Sequence, residues 1–290
     1  MNLRLDRLAT LYLAWPLGKY AAGNKPFIPI LMYHSISGED ESGLHPYYRT
    51  CTSPAAFANQ MARLHELGYS TCNLAQALDY LQPRDYPSSG TQAATKLAVI
   101  TFDDGYSDFY HQAFPILNQH GFGATVYLPT AYIGDHPLQF KGRDCLTWRE
   151  VRELGGYGIV FGSHTVSHPQ LRELSASAVK EEIGTSKKTI EERLGVATES
   201  FAYPFAFPQS DVEFKRMLRD SLSSAGYKNG VCTTVGRGTS ESDPFFMERL
   251  PVNSADDAAL FQAKLAGAYD WIRTFQGLVK SVKMRAAKLW

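Results

Sequence analysis

The chain has 290 residues, enough for one large domain with a full core, and its 44% apolar and 12% aromatic content describes a globular protein. Lysine plus arginine and aspartate plus glutamate both number 29, so no net charge offers nucleic acid a footprint, and none is expected as a partner. The four cysteines, Cys51, Cys72, Cys145 and Cys232, lie far apart without a CxxC and read as buried free thiols rather than a disulfide framework or structural metal site.

In chain order, residues 1–26 begin with a short apolar stretch, MNLRLDRLATLYLAWPLGKY, into which Arg4, Asp6 and Arg7 break. It is too short to span a bilayer and lacks a small-x-small cleavage site, so a cytoplasmic or membrane-peripheral location is expected over secretion. Strands are predicted at Phe27–Tyr33, Gly68–Cys72, Lys96–Phe102, Ala124–Leu128, Gly158–Phe161, Glu199–Tyr203, Asn229–Thr234 and Met247–Val252, where β-formers cluster. Between them, helical patterns run over Ser53–Leu67, Leu74–Leu81, Asp108–His120, Thr147–Leu154, Ser175–Leu194 and Asp211–Ala225. Ser53-Pro54 pairs an N-cap hydroxyl with proline at the first helical position, and Gly68, Gly121, Gly195 and Gly226 stand where helices close. The Pro83–Thr95 stretch reads as a surface loop and the one plausible linker.

This cadence predicts an α/β fold whose parallel sheet is crossed by helices and is either open or closed into a barrel. A single domain over 27–255 is expected, with an amphipathic extension at 1–26 and a basic amphipathic helical extension at 256–290. From Arg273 to Trp290 the tail carries Arg273, Lys280, Lys283, Arg285 and Lys288 and no acid, interleaved with Phe275, Leu278, Val279, Val282 and Leu289. Such a helix can lie on an anionic membrane surface, giving peripheral contact through the termini, and one packed on its own barrel explains the apolar face equally well.

Reactive side chains fall where apolar strands end. Ile28–Tyr33 runs into His34, Leu97–Phe102 into Asp103 and Asp104, Gly158–Phe161 into Gly162-Ser163-His164 with His168 four residues on, and Phe201-Ala-Tyr203 into Pro204. In parallel α/β sheets the carboxyl ends of the strands share one rim, where sites are built. One aspartate and two histidines make an N/O ligand set suited to Zn²⁺ and plausible for other late divalent metals, with a position left open for water. The HTVSH pair suits a helix face or a loop, but Thr165 where a zinc-protease helix needs glutamate excludes that chemistry. Taken singly, each motif has a plain structural reading: Asp-Asp-Gly as a turn, HxxxH as coincidence.

These residues resemble a known family. TFDDG at 101–105 and HTVSH at 164–168 are similar to the first two motifs of the polysaccharide deacetylases, carbohydrate esterase family 4, and SFAYPFA at 200–206 resembles the third. The likeness runs from about Pro29 to Pro251. It implies a distorted (β/α) barrel and metal-dependent removal of N- or O-acetyl groups from a bacterial-type polysaccharide or glycan precursor, as in exopolysaccharide biosynthesis, with an acetylated polysaccharide or oligosaccharide as substrate. Carried onto this chain, it implies Asp104, His164 and His168 as ligands of a divalent metal, with Zn²⁺ expected. Asp103 would be the base that deprotonates metal-activated water, and Tyr203, Pro204 and the backbone N–H of Phe205 would lie beside the acetyl oxyanion.

The family pattern is broken twice. Its base-orienting arginine is replaced by Ala202, and its C-terminal Leu-x-His is absent, since no histidine follows His168. Arg249 in FFMERLPV is the candidate for the first role, against an exposed salt-bridging arginine. His34 in ILMYHSIS is the candidate acid, because it alone of the remaining histidines directly follows a predicted strand; a similar MYH segment occurs in the permuted branch, the poly-N-acetylglucosamine deacetylases. It is expected on the side of the metal opposite the base, with activity falling as it deprotonates at high pH. Aromatics at Tyr106, Trp148, Tyr203 and Phe205 are candidates for walls of a sugar cleft. Two rival readings stand beside this one: a non-catalytic carbohydrate-binding or scaffold protein on a decayed deacetylase fold, and a hydrolase of small amides or imides.

Overall fold

A computed structural model describes residues 4–17, 26–82 and 96–274. The Pro83–Thr95 loop and the tail beyond residue 274, with nearly all of its basic apolar pattern, lie outside the described residues.

Seven strands form the body: β1 (Ile30–Tyr33), β2 (Lys96–Phe102), β3 (Ala124–Leu128), β4 (Ile159–Ser163), β5 (Ser200–Ala202), β6 (Asn229–Val235) and β7 (Met247–Pro251). Each pairs in parallel with the next in chain order, and β7 pairs with β1 through Leu250↔Leu31, so the sheet closes into a barrel. Closure leaves no sheet edge to protect, as expected of parallel strands joined by helical crossovers. A short strand at Tyr69–Thr71 adds to the outer side of β2.

Alternation along each strand sorts side chains into two layers. Ile30, Val99, Tyr127, Ala202, Val231 and Met247 fill the interior, and Leu74, Ala77 and Leu81 of the helix Leu74–Leu81 pack on this set and stop one mouth. Residues of opposite parity, such as Ala98, Ile100 and Phe102, face the surrounding helices. Local signals set the helix starts. Ser53 accepts a hydrogen bond from the Ala56 N–H ahead of Pro54–Glu66, and Asn73 with Gln76 and Thr147 with Glu150 form reciprocal capping boxes. Caps of this kind contribute about 1 kcal/mol each. The four closing glycines all have φ between +65° and +85°.

The structure departs from the sequence reading in several places. The helix expected over Asp108–His120 is a π-turn at Phe109–Ala113 followed by an α-helix at Phe114–Gln119, because Pro115 has no N–H for a regular ladder. Pro29 splits the first strand into Phe27–Ile28, which pairs with Gly238–Thr239, and β1. A hairpin, Gln139–Phe140 with Arg143–Asp144, was not foreseen. Finally, part of the segment expected as a C-terminal extension belongs to the body: Leu260, Phe261 and Leu265 of helix Ala258–Leu265, with Tyr269 and Ile272, join the main core. The N-terminal helical segment docks on this region through Arg4–Asp256 and Arg7–Asp257 ion pairs and a Tyr269 hydroxyl donated to Asp6. All four cysteines are free thiols; Cys72 is half-buried and the others are buried. Among the described residues no helix is long and apolar enough to cross a membrane.

Two glycines test the packing in opposite directions. A Cβ on Gly230 in β6 would sit 2.6 Å from the Phe245 carbonyl and 2.9 Å from that of Phe201, both backbone, whereas one on Gly184 inside helix Ala176–Leu194 meets nothing within 4 Å. Gly230→Ala is therefore expected to cost about 1–3 kcal/mol and Gly184→Ala to stabilise by about 0.5–1 kcal/mol, as read from urea denaturation midpoints.

Candidate metal centre

The barrel register brings the chemistry-bearing residues together. Tyr33 pairs with Phe102, so His34 and Asp103 leave neighbouring strands side by side. Asp104 follows at once with a left-handed backbone (φ 71°), which turns its carboxylate away from that of Asp103. His164 leaves β4, its N–H bonded to the Leu128 carbonyl at the end of β3. His168 returns to the rim in a loop rather than a helix, since Thr165 and His168 are themselves left-handed at φ 70° and 57°. That loop is held by Glu182 on helix Ala176–Leu194, whose carboxylate accepts the Val166 and Ser167 N–H groups at 2.8 and 3.0 Å. Among the described residues, the non-glycine positions with positive φ are Asp104, Lys141, Thr165, His168 and Phe205, all at this rim. Strain concentrated in this way is a mark of a functional site.

Asp104, His164 and His168 are buried, and one ligand atom from each lies within 4.8 Å of the others. The His164 Nδ1 is 2.8 Å from the Ala202 carbonyl, which can only accept, so Nδ1 carries the hydrogen and Nε2 turns its lone pair to the centre. The Nε2 atoms of His164 and His168 lie 3.5 and 3.2 Å from Asp104 Oδ1, yet that oxygen is buried with no hydrogen-bond partner. A buried carboxylate oxygen without a partner, facing two imidazole nitrogens, fits a divalent cation, and two imidazoles with one carboxylate are a donor set for it. Burial lowers the His168 pKa below the ordinary imidazole value.

Asp103 has a different neighbour. Arg249, fully buried inside the barrel, donates Nη1 to Oδ1 and Nη2 to Oδ2, each at 2.7 Å, and two further N–H groups to the Cys232 carbonyl and the Thr101 hydroxyl. Here β7 alternation puts Arg249 on the inner face with Met247, which removes the exposed salt-bridge alternative. Burial would raise the Asp103 carboxyl, but Arg249 and then His164 outweigh it, and the net shift is downward. Carboxylates with depressed folded pKa values stabilise the fold above the ordinary carboxylate range, and that contribution is lost as pH falls through the lowered values.

His34 is partly exposed, its Nε2 4.0 Å from Asp103 Oδ2. It therefore stands beside the expected base, not across from it, because β1 and β2 are adjacent in the barrel. Burial lowers its pKa, and Asp103 offsets this only in part. Of the expected cleft aromatics, Tyr203 and Trp148 are core: Tyr203 is enclosed by Phe207 and Phe214, and Trp148 is buried under its helix cap. Pro204 is buried, while Phe205 is exposed with its ring 4.6 Å from that of His168. Tyr106, considered only as a wall, donates its hydroxyl to Asp104 Oδ2 at 3.0 Å. Phe140, 5.1 Å from the His168 ring, and Lys141, 3.4 Å from Asp104 Oδ2, arrive on the unforeseen hairpin.

The clamp on Asp103 is testable without any substrate. Arg249→Met leaves a buried carboxylate unpaired and should cost about 3–5 kcal/mol, most of it recovered in Arg249→Met/Asp103→Asn. Denaturant midpoints decide: a loss under about 1 kcal/mol would be that of a surface pair and would contradict the burial.

Residues 90–230 match the family model described as polysaccharide deacetylase. A putative polysaccharide deacetylase of Bacillus subtilis (strain 168), YxkH, is 28% identical over 236 residues, covering 81% of this chain and 75% of that one. The poly-beta-1,6-N-acetyl-D-glucosamine N-deacetylase of Escherichia coli (strain K12) is 32% identical over 161 residues, which is 52% of this chain but only 21% of that enzyme. In structure, the Streptococcus pyogenes deacetylase PplD, solved in complex with acetate, superposes with a TM-score of 0.69 at 24% identity, over 83% of this chain and 99% of that one; at that identity the likeness shows the fold. Closed barrel, motif residues and matching segment agree: residues 90–230 are a polysaccharide deacetylase domain, and the relatives that share it are hydrolases.

Proposed function

We propose that this protein is a metal-dependent deacetylase that removes N-acetyl groups from a polymer of N-acetylglucosamine, with Asp103 as base and His34 as its proton partner. The observation that carries the reading is the division of labour between adjacent carboxylates: Asp103 is clamped by an arginine, and Asp104 faces two imidazoles with a bare oxygen. The named activity of the Escherichia coli relative supports the polymer class. A divalent cation held by Asp104, His164 and His168, zinc by the donor set, would polarise the acetyl carbonyl and lower the pKa of water.

The chain's own groups do the proton work. Arg249 fixes both oxygens of Asp103 and so holds the carboxylate in place to take a proton from the attacking water. A carboxylate with a depressed pKa does not keep a proton, and His34 Nε2 lies 4.0 Å from its Oδ2 to receive it. With its own pKa below the ordinary imidazole value, His34 is neutral near pH 7 and free to receive that proton, then to hand it to the leaving nitrogen. An amide nitrogen needs it, since an unprotonated amine is a poor leaving group. The backbone N–H of Phe205, at a left-handed position on the rim, would donate to the acetyl oxyanion, and the exposed Phe205 ring offers a sugar an apolar face.

Three measurements test this reading. Elemental analysis of the purified protein should find one divalent metal, lost with a chelator and sharply reduced in His164→Ala; full occupancy in that variant would sink the ligand assignment. Asp103→Asn should retain metal while acetate release from acetylated oligosaccharides falls about 10²–10⁴-fold. Because His34 stands beside the base and must be neutral to receive its proton, wild-type activity should rise with pH through a limb below the ordinary imidazole value of about 6.5, in place of the fall at high pH expected from the sequence. That limb should vanish in a slow His34→Ala, and a His34→Ala with normal rate and profile refutes the role.

A further inference from the structure

The two oxygens of Asp104 have opposite surroundings. Oδ1 is buried without a hydrogen-bond partner and faces the two Nε2 atoms. Oδ2 accepts the Tyr106 hydroxyl at 3.0 Å and lies 3.4 Å from the Lys141 ammonium. Tyr106 is enclosed, bridged through its backbone to Cys145, with the Arg143 guanidinium 5.3 Å above its ring. Lys141 stands at the tip of the Gln139–Asp144 hairpin. It and Gly142 have φ of 51° and 78°, a turn that suits asparagine and glycine and disfavours lysine. The strain is offset where the side chain ends: the ammonium lies 4.5 Å from the centre of the Phe140 ring and 5.5 Å from that of Phe205, two cation–π contacts beside the carboxylate.

We propose that Tyr106 and Lys141 are positioning residues that set which cation the centre takes. By occupying Oδ2 they leave Oδ1 as the one carboxylate oxygen free to ligate, and the ammonium cancels part of the charge that would attract a hard cation. The inference rests on the reading of Asp104, His164 and His168 as metal ligands. Calcium and manganese sites are built from many oxygens, commonly including a carboxylate that gives both. A centre with two imidazoles and half a carboxylate offers such ions little, whereas zinc or cobalt is well served. Lys141 is half exposed, so its repulsion of a bound cation passes partly through water and is screened by salt.

The test is cation binding to the full chain after chelator treatment, with zinc, cobalt, manganese and calcium as the probes. Lys141→Met should bind zinc about tenfold more tightly at low salt, with the gain shrinking at high salt, and Lys141→Arg should restore wild-type affinity. In Tyr106→Phe/Lys141→Met, Oδ2 is free. The visible absorption of the cobalt-loaded protein should weaken as coordination number rises, and manganese and calcium should compete with zinc about tenfold better. The phenyl ring keeps the packing of Tyr106, and Lys141→Met alone decides if the double variant does not fold. Unchanged or weaker zinc binding in Lys141→Met, or a double variant with wild-type cobalt spectrum and selectivity, overturns this proposal alone. A wild-type chain that takes up none of the four ions overturns the ligand reading with it.

Discussion

Two carboxylates on successive residues at the end of one buried strand repel each other, and the rest of the rim answers that repulsion. The left-handed backbone of Asp104 sends the second carboxylate to the opposite side from the first. Each then meets its own positive or electron-poor partners. Arg249 rises inside the barrel to take Asp103, and the hydroxyl of Tyr106 and ammonium of Lys141 take one oxygen of Asp104. One oxygen is left over, buried without a hydrogen-bond partner, and it faces two imidazoles. Electrostatics of this kind is costly to misplace, since a buried charge without its partner destabilises by several kcal/mol, about the size of a large core cavity. The geometry of the site and the integrity of the barrel end are therefore one problem.

Much of this was legible in the sequence because period-2 alternation and strand ends are written locally. Strands over Lys96–Phe102 and Ala124–Leu128 coincide with the predicted spans, and the rim that gathers Asp103, Asp104, His164 and His168 follows from their parallel direction. Arg249 was readable too: two residues beyond Met247 on a strand, it shares the inner face, and an arginine there needs a carboxylate. The position of His34 beside Asp103 was harder, since it depends on which strands are neighbours, and only closure of the sheet fixes that. Lys141 and Phe140 left no signal at all. They lie in a two-strand hairpin too short for a periodic pattern, whose turn carries a lysine where the turn geometry calls for asparagine. Tyr203 misled for the converse reason. It follows a strand just as His34 does, but the parity of β5 faces it outward, into the layer of helices.

Rigidity at the rim comes from outside it. The HTVSH loop forms neither helix nor strand; Glu182 accepts the Val166 and Ser167 N–H groups from the middle of a long helix, and the Thr165 hydroxyl accepts that of His168. The hairpin is fastened in the same manner, by Arg143 reaching Glu39 at 2.6 Å across the rim. Preorganised ligands of this type lose little freedom when a charge arrives, which is what makes a strained backbone useful.

The closed ring of strands has one further consequence. Because β7 lies against β1, the first and last strands of the barrel are neighbours in space while being some two hundred residues apart in sequence. The rim has no beginning. A histidine leaving the first strand occupies ground that a segment after the last strand could reach equally well, and an arginine on the last strand can reach a base on the second. Which motif comes first along the chain is then a matter of where the ring was cut, and the same constellation can be assembled from chains that read their motifs in rotated order.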